Sequence, residues 1–272
     1  MGNRVRAAVI GLGHLGKHHA RVLSGLEQAE LVAVVDSDEK RAAEYAERFH
    51  CEALTDYTKL KGRVDVACVV VPTTKHFEVA SWLFSNGIHA LVEKPLAYTV
   101  KEAETLSKLA NQSKLVLQVG HIERFNPALR TIRNHLDTVT FIEAHRLSPY
   151  PFRSTDIGVI MDVMIHDLDI ILDLVDSPVA EIRANATPVI SRGHEDIASA
   201  RLQFESGAVA NITASRISDK VARKMRMFCP AKYINLDFAA KQAWIYKKSP
   251  KFDDPNFRVE EMDIAGVDNL MQ

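Results

Sequence analysis

Short apolar runs alternate with stretches of helical periodicity over the first 120 residues. The apolar runs, interpreted as strands, are Arg4–Ile10, Leu31–Asp36, Asp65–Val71, His89–Glu93 and Leu115–Val119. The helical stretches between them run from Gly16 to about Gly25, then over Glu39–Phe49, His76–Asn86 and Thr99–Gln112. Strands that are apolar throughout, each separated from the next by a helix, are typical of a parallel sheet covered on both faces. The pattern predicts a doubly wound α/β domain.

The pattern changes after Gly120, and from Val179 onward polar and apolar residues alternate. Helices are predicted at Pro127–Leu136 and between Ile157 and Val175. Strands are predicted at Thr140–Leu147, Ala198–Phe204, Val209–Ala214, Met225–Cys229 and Tyr233–Phe238. Glu205-Ser206-Gly207 is a hairpin signal between two of these strands, and the proline-containing stretch Lys247–Asn256 is predicted to be a loop. We therefore expect an α+β domain with a mostly antiparallel open sheet, and we divide the chain into residues 1–120 and 121–272.

Composition and charge narrow the possible functions. The 272 residues carry 34 Lys and Arg against 35 Asp and Glu, for a formal net charge of −1. This balance gives no general attraction to nucleic acids or acidic membranes, so neither is expected as a partner. No apolar run is long enough to span a bilayer, and the N-terminus lacks a separate apolar signal region.

The three cysteines bear on the compartment and on metal binding. Cys51, Cys68 and Cys229 are far apart and form no C-x-x-C pair. A disulfide framework or a thiolate zinc site is therefore not expected, and a reducing cytoplasm fits this cysteine usage. We predict a cytoplasmic protein without a bound metal.

A glycine-rich turn follows the first predicted strand. Gly11-Leu12-Gly13-His14-Leu15-Gly16 fits the G-x-G-x-x-G pattern, opens a helix and precedes an acidic residue by about twenty positions. The first glycine permits a tight turn, the second lets the backbone approach a pyrophosphate, and the third lets helix and strand pack closely. Free N–H groups and the partial positive charge of a helix N-terminus favour phosphates. The turn predicts a dinucleotide site of the Rossmann type, with contacts at Gly11, Gly13, His14, Leu15 and Gly16.

Asp36 ends the second predicted strand, where a carboxylate accepts hydrogen bonds from ribose hydroxyls and repels a 2′-phosphate. We therefore predict NAD as the cofactor rather than NADP, although Ser37 and Arg41 are able to contact a phosphate. The alternative is a purely structural glycine turn with a solvated Asp36. The coincidence of strand, turn, helix and acidic residue favours the cofactor site.

Three histidines lie near the glycine turn. His14 and His18 are four residues apart, so they are able to share a helix face, and His19 follows directly. No nearby cysteine completes a metal site. We interpret the three residues as solvated histidines beside the cofactor rather than as zinc ligands.

Glu93-Lys94-Pro95 follows the fourth predicted strand at its carboxyl end. Ligands bind at this edge in open α/β sheets, and a lysine there can donate a hydrogen bond to a substrate hydroxyl or carbonyl. The alternative is a surface lysine before a turn proline. The predicted cofactor contacts also include Pro72, Thr73, His76, Glu93 and Lys94.

A second group of ionisable residues lies in the predicted helix after Ile157. In a helix, Asp162, His166 and Asp169 have the spacing i, i+4 and i+7, which places them on one face among apolar neighbours. Polar groups on a partly buried face need partners and are prone to shifted pKa values. Histidine is the side chain best suited to proton transfer near neutral pH. The alternative is a structural helix cap with a salt-bridge cluster.

Together these motifs resemble the Gfo/Idh/MocA family, which includes glucose–fructose oxidoreductase, inositol dehydrogenase and rhizopine-catabolism proteins. The residues that carry the resemblance are the glycine turn, Asp36, Glu93-Lys94-Pro95 and the Asp-x-x-x-His-x-x-Asp of residues 162–169, in that order along nearly the whole chain. The resemblance implies an NAD-dependent sugar dehydrogenase. In it, Lys94 contacts the reacting hydroxyl, Asp162 orients the substrate and Lys94, and His166 removes the hydroxyl proton while hydride leaves for NAD. It also implies a cis Lys94–Pro95 peptide.

A narrower resemblance comes from the stretch Gly120-His121-Ile122-Glu123-Arg124-Phe125-Asn126-Pro127 followed by the second-domain motif. It is similar to the UDP-N-acetylglucosamine 3-dehydrogenase branch. This implies oxidation of the 3-hydroxyl of a UDP-N-acetylhexosamine to a ketone, which a partner aminotransferase then aminates for lipid A. Arg124, Tyr150 and Arg153 are candidate substrate contacts, since arginine suits phosphate oxygens. The alternative is that Arg124 caps a helix and Arg153 is a loop residue.

Two other functions remain open at this point. One is a free-sugar or inositol dehydrogenase, which needs no diphosphate pocket. The other is a non-catalytic regulator that senses NAD with the same fold; the presence of Lys94, Asp162 and His166 favours an enzyme.

The resemblance also bears on assembly and on the chain ends. We expect the sugar to lie over the open face of the antiparallel sheet, and we expect a homo-oligomer, a dimer or tetramer. Family members usually carry a further C-terminal segment with a helix that packs on the first domain. This chain ends at Asn269-Leu270-Met271-Gln272 without that helix, so we expect a truncated chain or a short family member.

Overall fold

A computed structural model describes residues 4–150 and 157–247 and the backbone of residues 258–262. The described residues divide into two compact units, with the division between His121 and Ile122. Each unit has its own sheet. No helix in the described ranges is both long and apolar enough to cross a membrane.

The first unit is built on a six-stranded parallel sheet. Its strands are β1 (Val5–Ile10), β2 (Ala29–Val35), β3 (Glu52–Leu54), β4 (Val66–Val69), β5 (His89–Val92) and β6 (Leu117–Val119). Its helices are α1 (Gly16–Gly25), α2 (Glu39–Phe49), α3 (Thr73–Ser85) and α4 (Val100–Ser113), with a 3-10 turn at Tyr57–Leu60. The strand order is β3-β2-β1-β4-β5-β6, and every pair is parallel. The predicted doubly wound α/β fold is confirmed.

Helices cover both faces of this sheet, and successive side chains of each strand point to opposite faces. Ala8 and Ile10 of β1 lie in a core with α3 and α4, whereas Val9 lies in a separate core with α1 and α2. This two-sided burial explains why the strands are apolar throughout. The three-residue edge strand β3 was missed, since Glu52 and Ala53 are exposed and give no apolar run.

The second unit is an eight-stranded sheet with helices on one face. It contains a 3-10 turn (Ile122–Phe125), α5 (Pro127–Arg133), β7 (Phe141–Leu147), a π-helical turn (Ile160–Met164), α6 (Ile165–Leu174), β8 (Val179–Thr187), β9 (Ile197–Phe204), β10 (Val209–Ser215), β11 (Ala222–Cys229), β12 (Lys232–Asp237), β13 (Gln242–Lys247) and β14 (Arg258–Met262). The strand order is β14-β13-β12-β11-β7-β10-β9-β8. Among the described strand pairs only β7–β10 is parallel, so the mostly antiparallel sheet is confirmed.

The core of the second unit lies between α5, α6 and one face of the sheet. The predicted hairpin of β9 and β10 is present, with pairing from Val209–Gln203 to Ser215–Ile197. Strands β8, β13 and β14 were not predicted. The predicted loop falls mainly on residues 248–257, which lie outside the described residues, and Lys247 ends β13.

Candidate active-site elements

The three glycines of the turn after β1 have different surroundings. Gly11 has a φ of +92°, and an added Cβ would lie 2.5 Å from the Val70 carbonyl oxygen. A Cβ on Gly16 would lie 1.8 Å from the Gly11 carbonyl oxygen. An added Cβ on Gly13 would meet no atom within 4 Å. The first and third glycines therefore serve close packing, whereas the second leaves the backbone open to a ligand.

The N-terminus of α1 begins at the third glycine. Within the described part of the chain, no side chain caps this helix and no acidic residue lies in its first turn. The first N–H groups of a helix have no partner within the helix and carry a partial positive charge. This end of α1 thus has the character of an anion site.

A pocket of about 460 Å³ lies beside the turn. It is lined by Leu12, Gly13, His14, Lys17, Asp38, Lys40, Arg41, Glu44 and Tyr45. Its volume falls in the range of sites for cofactors and other small molecules. Its charged lining is mixed, because Asp38 and Glu44 lie beside Lys17, Lys40 and Arg41, and Arg41 pairs with Asp36 and Asp38.

Asp36 follows β2 and is 7% exposed. Its carboxylate accepts hydrogen bonds from the Leu12 N–H at 2.8 Å and the Asp38 N–H at 2.9 Å. The Arg41 guanidinium donates to both carboxylate oxygens at 3.3 Å. Asp36 therefore fixes the glycine turn against the end of β2. Arg41 lies beside the residue that is predicted to bind the ribose. Its alternative contact, with a 2′-phosphate, stays a prediction.

The histidines near the turn are not all solvated. His14 is exposed, and its ring lies edge-on to that of His18 with 6.0 Å between centroids, so these two share a face. His19 is buried instead, and its Nε2 lies 2.8 Å from Glu93 Oε1. The prediction was wrong for His19 because α1 turns this residue toward the sheet. Within the described residues no group of three His, Cys, Asp or Glu side chains is arranged to hold a metal ion.

Burial and hydrogen bonding have opposite effects on the pKa of His19. Burial alone would lower the pKa of its imidazole, but hydrogen bonds with Cys68 and Glu93 raise the pKa to about 9. A buried carboxylate beside a histidine favours the charged imidazolium. At neutral pH the structure therefore contains a buried ion pair between α1 and the end of β5.

The Glu-Lys-Pro turn directly follows β5, as predicted. The Lys94–Pro95 peptide is cis, which was also predicted. Glu93 is 5% exposed, and its second oxygen accepts a hydrogen bond from the Lys94 N–H at 3.1 Å. Both oxygens of Glu93 are thus engaged within the protein. Its predicted contact with the cofactor stays a prediction.

The segment after β4 supports the same turn. Pro72 precedes α3, which begins at Thr73. The buried His76 places Nε2 2.9 Å from the Val71 carbonyl oxygen and Nδ1 2.8 Å from the Pro95 carbonyl oxygen. His76 therefore bridges the two turns that leave β4 and β5. The predicted cofactor contacts of Pro72, Thr73 and His76 stay predictions.

In the second unit, Asp162 lies in the π-helical turn, where the Ile165 N–H donates to the Ile160 carbonyl oxygen. This i+5 bonding widens the turn, so Asp162 and His166 do not have the regular α-helical spacing used in the prediction. Gly158 lies two residues before the turn, and an added Cβ there would overlap the Glu195 carboxylate. The same carboxylate accepts a hydrogen bond from the Ile160 N–H at 3.2 Å. Asp162 and His166 are both partly exposed.

Asp169 is part of an ion-pair cluster. The Arg124 guanidinium donates to both Asp169 oxygens at 2.7 Å and to Asp173 at 2.9 Å, and Arg133 also pairs with Asp173. Arg124 thus already has two carboxylate partners, which offset its charge. Its predicted contact with a substrate diphosphate stays a prediction, and Arg153 lies outside the described residues.

Tyr150 is held by a buried network. Its hydroxyl lies 3.0 Å from the Ser191 Oγ, which accepts a hydrogen bond from Arg216 at 2.9 Å. The Arg216–Asp196 pair is 0% exposed, with Nε 2.9 Å from Oδ1. The other Asp196 oxygen accepts three backbone N–H bonds from residues 189–191. Burial alone would raise the pKa of Asp196, but these hydrogen bonds lower it well below its usual range.

The expected location of the sugar stays a prediction, because the structure shows only where the side chains of the second unit lie. Asp162 and His166 lie on the π turn and α6, and α6 packs against β7 and β10. They therefore lie on the helix-covered face of the second sheet, not on its open face. The open face carries a row of partly exposed rings instead, Phe141, Phe228, Tyr233 and Tyr246.

Comparison with known proteins gives two family matches. Residues 5–121 match the Gfo/Idh/MocA model described as an oxidoreductase family with an NAD-binding Rossmann fold, and residues 133–231 match the C-terminal domain of the same family. The chain belongs to the Gfo/Idh/MocA family. It is an NAD-binding oxidoreductase, and the cofactor prediction is confirmed at this level.

Among curated proteins, the chain is 38% identical over 269 residues to the UDP-N-acetylglucosamine 3-dehydrogenase of Acidithiobacillus ferrooxidans, covering 98% of this chain and 85% of that protein. The solved structure of that enzyme has a TM-score of 0.91 at 36% identity, covering 99% of this chain and 86% of the other. A scyllo-inositol 2-dehydrogenase of Bacillus subtilis is 29% identical over 236 residues, covering 80% of this chain and 69% of that protein. This family member thus resembles dehydrogenases of both nucleotide sugars and inositols.

Proposed function

We propose that the protein oxidises the 3-hydroxyl of a UDP-N-acetylhexosamine, such as UDP-N-acetylglucosamine, to a ketone with NAD. The observation that carries this proposal is the 38% identity over 98% of the chain to a UDP-N-acetylglucosamine 3-dehydrogenase. Lys94, Asp162 and His166 supply the side chains that alcohol oxidation requires.

The first unit holds the cofactor in this proposal. The α1 N-terminus and the open backbone at Gly13 receive the pyrophosphate, and Asp36 accepts hydrogen bonds from the adenosine ribose. The nicotinamide supplies the hydride acceptor. The protein's own residues provide position and proton transfer.

The proton and hydride leave from the same alcohol. We assign to Lys94 a hydrogen bond to the hydroxyl oxygen, which stabilises negative charge there as the proton departs. His166, in its neutral form, takes the O–H proton, and Asp162 orients the sugar and Lys94. Bound NAD would accept the C–H hydride, and the C–O bond would become a carbonyl. The products are the 3-oxo sugar, NADH and protonated His166.

The proposed contacts to the diphosphate include one side chain that is already paired within the protein. Arg124, Tyr150 and Arg153 are the proposed contacts, but Arg124 is bound by Asp169 and Asp173. That pairing favours a second candidate function, oxidation of an uncharged ring such as an inositol or a free sugar. The 29% identity to a scyllo-inositol dehydrogenase supports the same alternative.

Initial rates of NADH formation separate the two candidates. The protein is incubated with NAD and, separately, with UDP-N-acetylglucosamine, UDP-N-acetylgalactosamine, N-acetylglucosamine, glucose, myo-inositol or scyllo-inositol. We expect turnover with a UDP-sugar and little with the same sugar without UDP. A preference for inositol or free sugar would replace the nucleotide-sugar proposal with the alternative.

We also propose that the protein is cytoplasmic and forms a homo-oligomer. In this proposal, a partner aminotransferase aminates the ketone product for lipid A. The aromatic row Phe141, Phe228, Tyr233 and Tyr246 supports oligomerisation, because its partly exposed rings form a continuous apolar strip on the open face of the second sheet, with centroids 4.8–5.9 Å apart. The free thiols of Cys51, Cys68 and Cys229 support a reducing compartment. Light scattering coupled to size exclusion tests the assembly: a wild-type dimer or tetramer that Tyr233→Lys dissociates is expected, and a wild-type monomer would contradict it.

A further inference from the structure

We infer that His19 is a positioning residue for Lys94, acting through Glu93. The inference rests on the proposed role of Lys94 at the reacting hydroxyl. His19 lies in the second turn of α1, the helix that follows the glycine turn, whereas Glu93 and Lys94 leave the end of β5. The two sides of this link are 74 residues apart in sequence.

The link consists of two hydrogen bonds to one carboxylate. His19 Nε2 lies 2.8 Å from Glu93 Oε1, and the Lys94 N–H donates to Glu93 Oε2 at 3.1 Å. An imidazole on one oxygen and the lysine backbone on the other define the rotation of the carboxyl group. The orientation of the Lys94 peptide therefore depends on where His19 holds Glu93.

The surroundings leave Glu93 little freedom to turn away. A Cβ on Gly120 would lie 3.0 Å from the Glu93 carboxyl atoms, so this glycine makes room for the carboxylate. Glu93 and His19 are both buried. A buried carboxylate that loses its cation either takes up a proton or moves toward water. Both changes weaken the bond to the Lys94 N–H.

The groups that face the His19 ring are the Cys68 side chain from β4 and Glu93 from β5. Together they raise the pKa of His19 to about 9, so the imidazolium is the form that holds Glu93 at neutral pH. Because α1 also presents its N-terminus to the cofactor, the pair joins the cofactor helix to the turn that carries Lys94.

His19→Gln tests the link, since glutamine has similar reach but does not carry the charge. We expect kcat to fall about 10- to 100-fold, as for a displaced catalytic group, while the dissociation constant for NAD changes little. Glu93→Gln and the double variant should each lose about as much as His19→Gln, because the pair acts as one unit. His50→Gln, at the exposed C-terminal end of α2, is the matched histidine control in the same unit and should retain wild-type kcat.

Two further measurements separate positioning from a general structural effect. In the wild type, kcat should fall as the pH rises through about 9, and this fall should be absent in His19→Gln. Hydrogen exchange of the Lys94 backbone amide, followed by NMR, needs no turnover. We expect it to be faster in His19→Gln by more than the overall loss of stability explains, and exchange of the β1 amides in the same samples measures that overall loss.

The amide measurement also distinguishes this inference from the proposed function. If no sugar is oxidised but Lys94 exchange still accelerates, the reaction assignment fails and the positional link stands. If His19→Gln keeps wild-type kcat and wild-type protection of the Lys94 amide, the inference is overturned. Additive losses in the double variant would also overturn it, and Glu93→Gln gives the same test should His19→Gln not fold.

Discussion

Gly13 and Gly16 belong to one sequence motif but differ in what an added methyl group would touch. For Gly16→Ala, the new Cβ meets the Gly11 backbone, so we expect a loss of stability of roughly 1–3 kcal/mol, as for other overpacked sites. For Gly13→Ala, the Cβ points into open space, so the melting temperature should hold while NAD binds at least about tenfold more weakly. Thermal unfolding and calorimetric titration with NAD measure the two effects. Equal destabilisation by both variants would contradict the assigned roles.

His19 makes stability depend on pH in a defined window. Its folded-state pKa, about 9, lies above the ordinary value of 6.5. Below 6.5 both states hold the proton and the stabilisation is complete. As the pH rises toward 9, the unfolded chain releases the proton first, so the free energy of unfolding falls, and above 9 this contribution is gone.

The size of that loss is measurable. Each pKa unit corresponds to about 1.4 kcal/mol, so the free energy of unfolding should fall by roughly 3 kcal/mol as the pH rises from 6.5 to about 9. Urea unfolding of the wild type from pH 6 to pH 10, compared with His19→Gln over the same range, should show a decline in the wild type that the variant lacks. Parallel curves for the two proteins would contradict the buried ion pair.

At the scale of elements, the buried Arg216–Asp196 pair holds a loop and Tyr150 against the second sheet. Asp196→Ala removes the carboxylate that pairs with the buried Arg216 and leaves three backbone N–H groups without their acceptor. We expect a loss of about 3–5 kcal/mol in unfolding free energy. The double variant Asp196→Ala with Arg216→Met should lose less, since no uncompensated charge remains. Urea unfolding measures both, and a cost below 1 kcal/mol for Asp196→Ala would count against the pair's structural role.

Elements were predictable where burial leaves a pattern along the chain. The apolar strands β1, β4 and β5 are covered on both faces, and the capping box of Thr99 and Glu102 marks the start of α4. The π turn at Ile160–Met164 was not predictable, because its Ile160–Ile165 hydrogen bond depends on Glu195 and the sheet behind it. Its sequence is equally compatible with a regular α-helix.

For the molecule as a whole, the sequence predicted local motifs better than the contacts among distant residues. The glycine turn and Lys94–Pro95 are local motifs whose roles follow from backbone geometry. The His19–Glu93 and Arg124–Asp169 pairs span 74 and 45 residues, so only the folded chain shows them. A weak signal existed for His19, since Gly16, His19 and Ala20 follow the spacing of the buried face of α1.

Transfer of deuterium from a labelled nucleotide sugar tests the central claim most directly. UDP-N-acetylglucosamine carrying deuterium at carbon 3 is incubated with NAD and the protein, and the products are analysed by mass spectrometry and NMR. We predict NADD and a 3-oxo sugar that has lost the label, with turnover at least about a hundredfold lower in His166→Ala and NAD affinity unchanged. Unlabelled NADH, a ketone at another carbon, or undiminished transfer by His166→Ala would contradict the account.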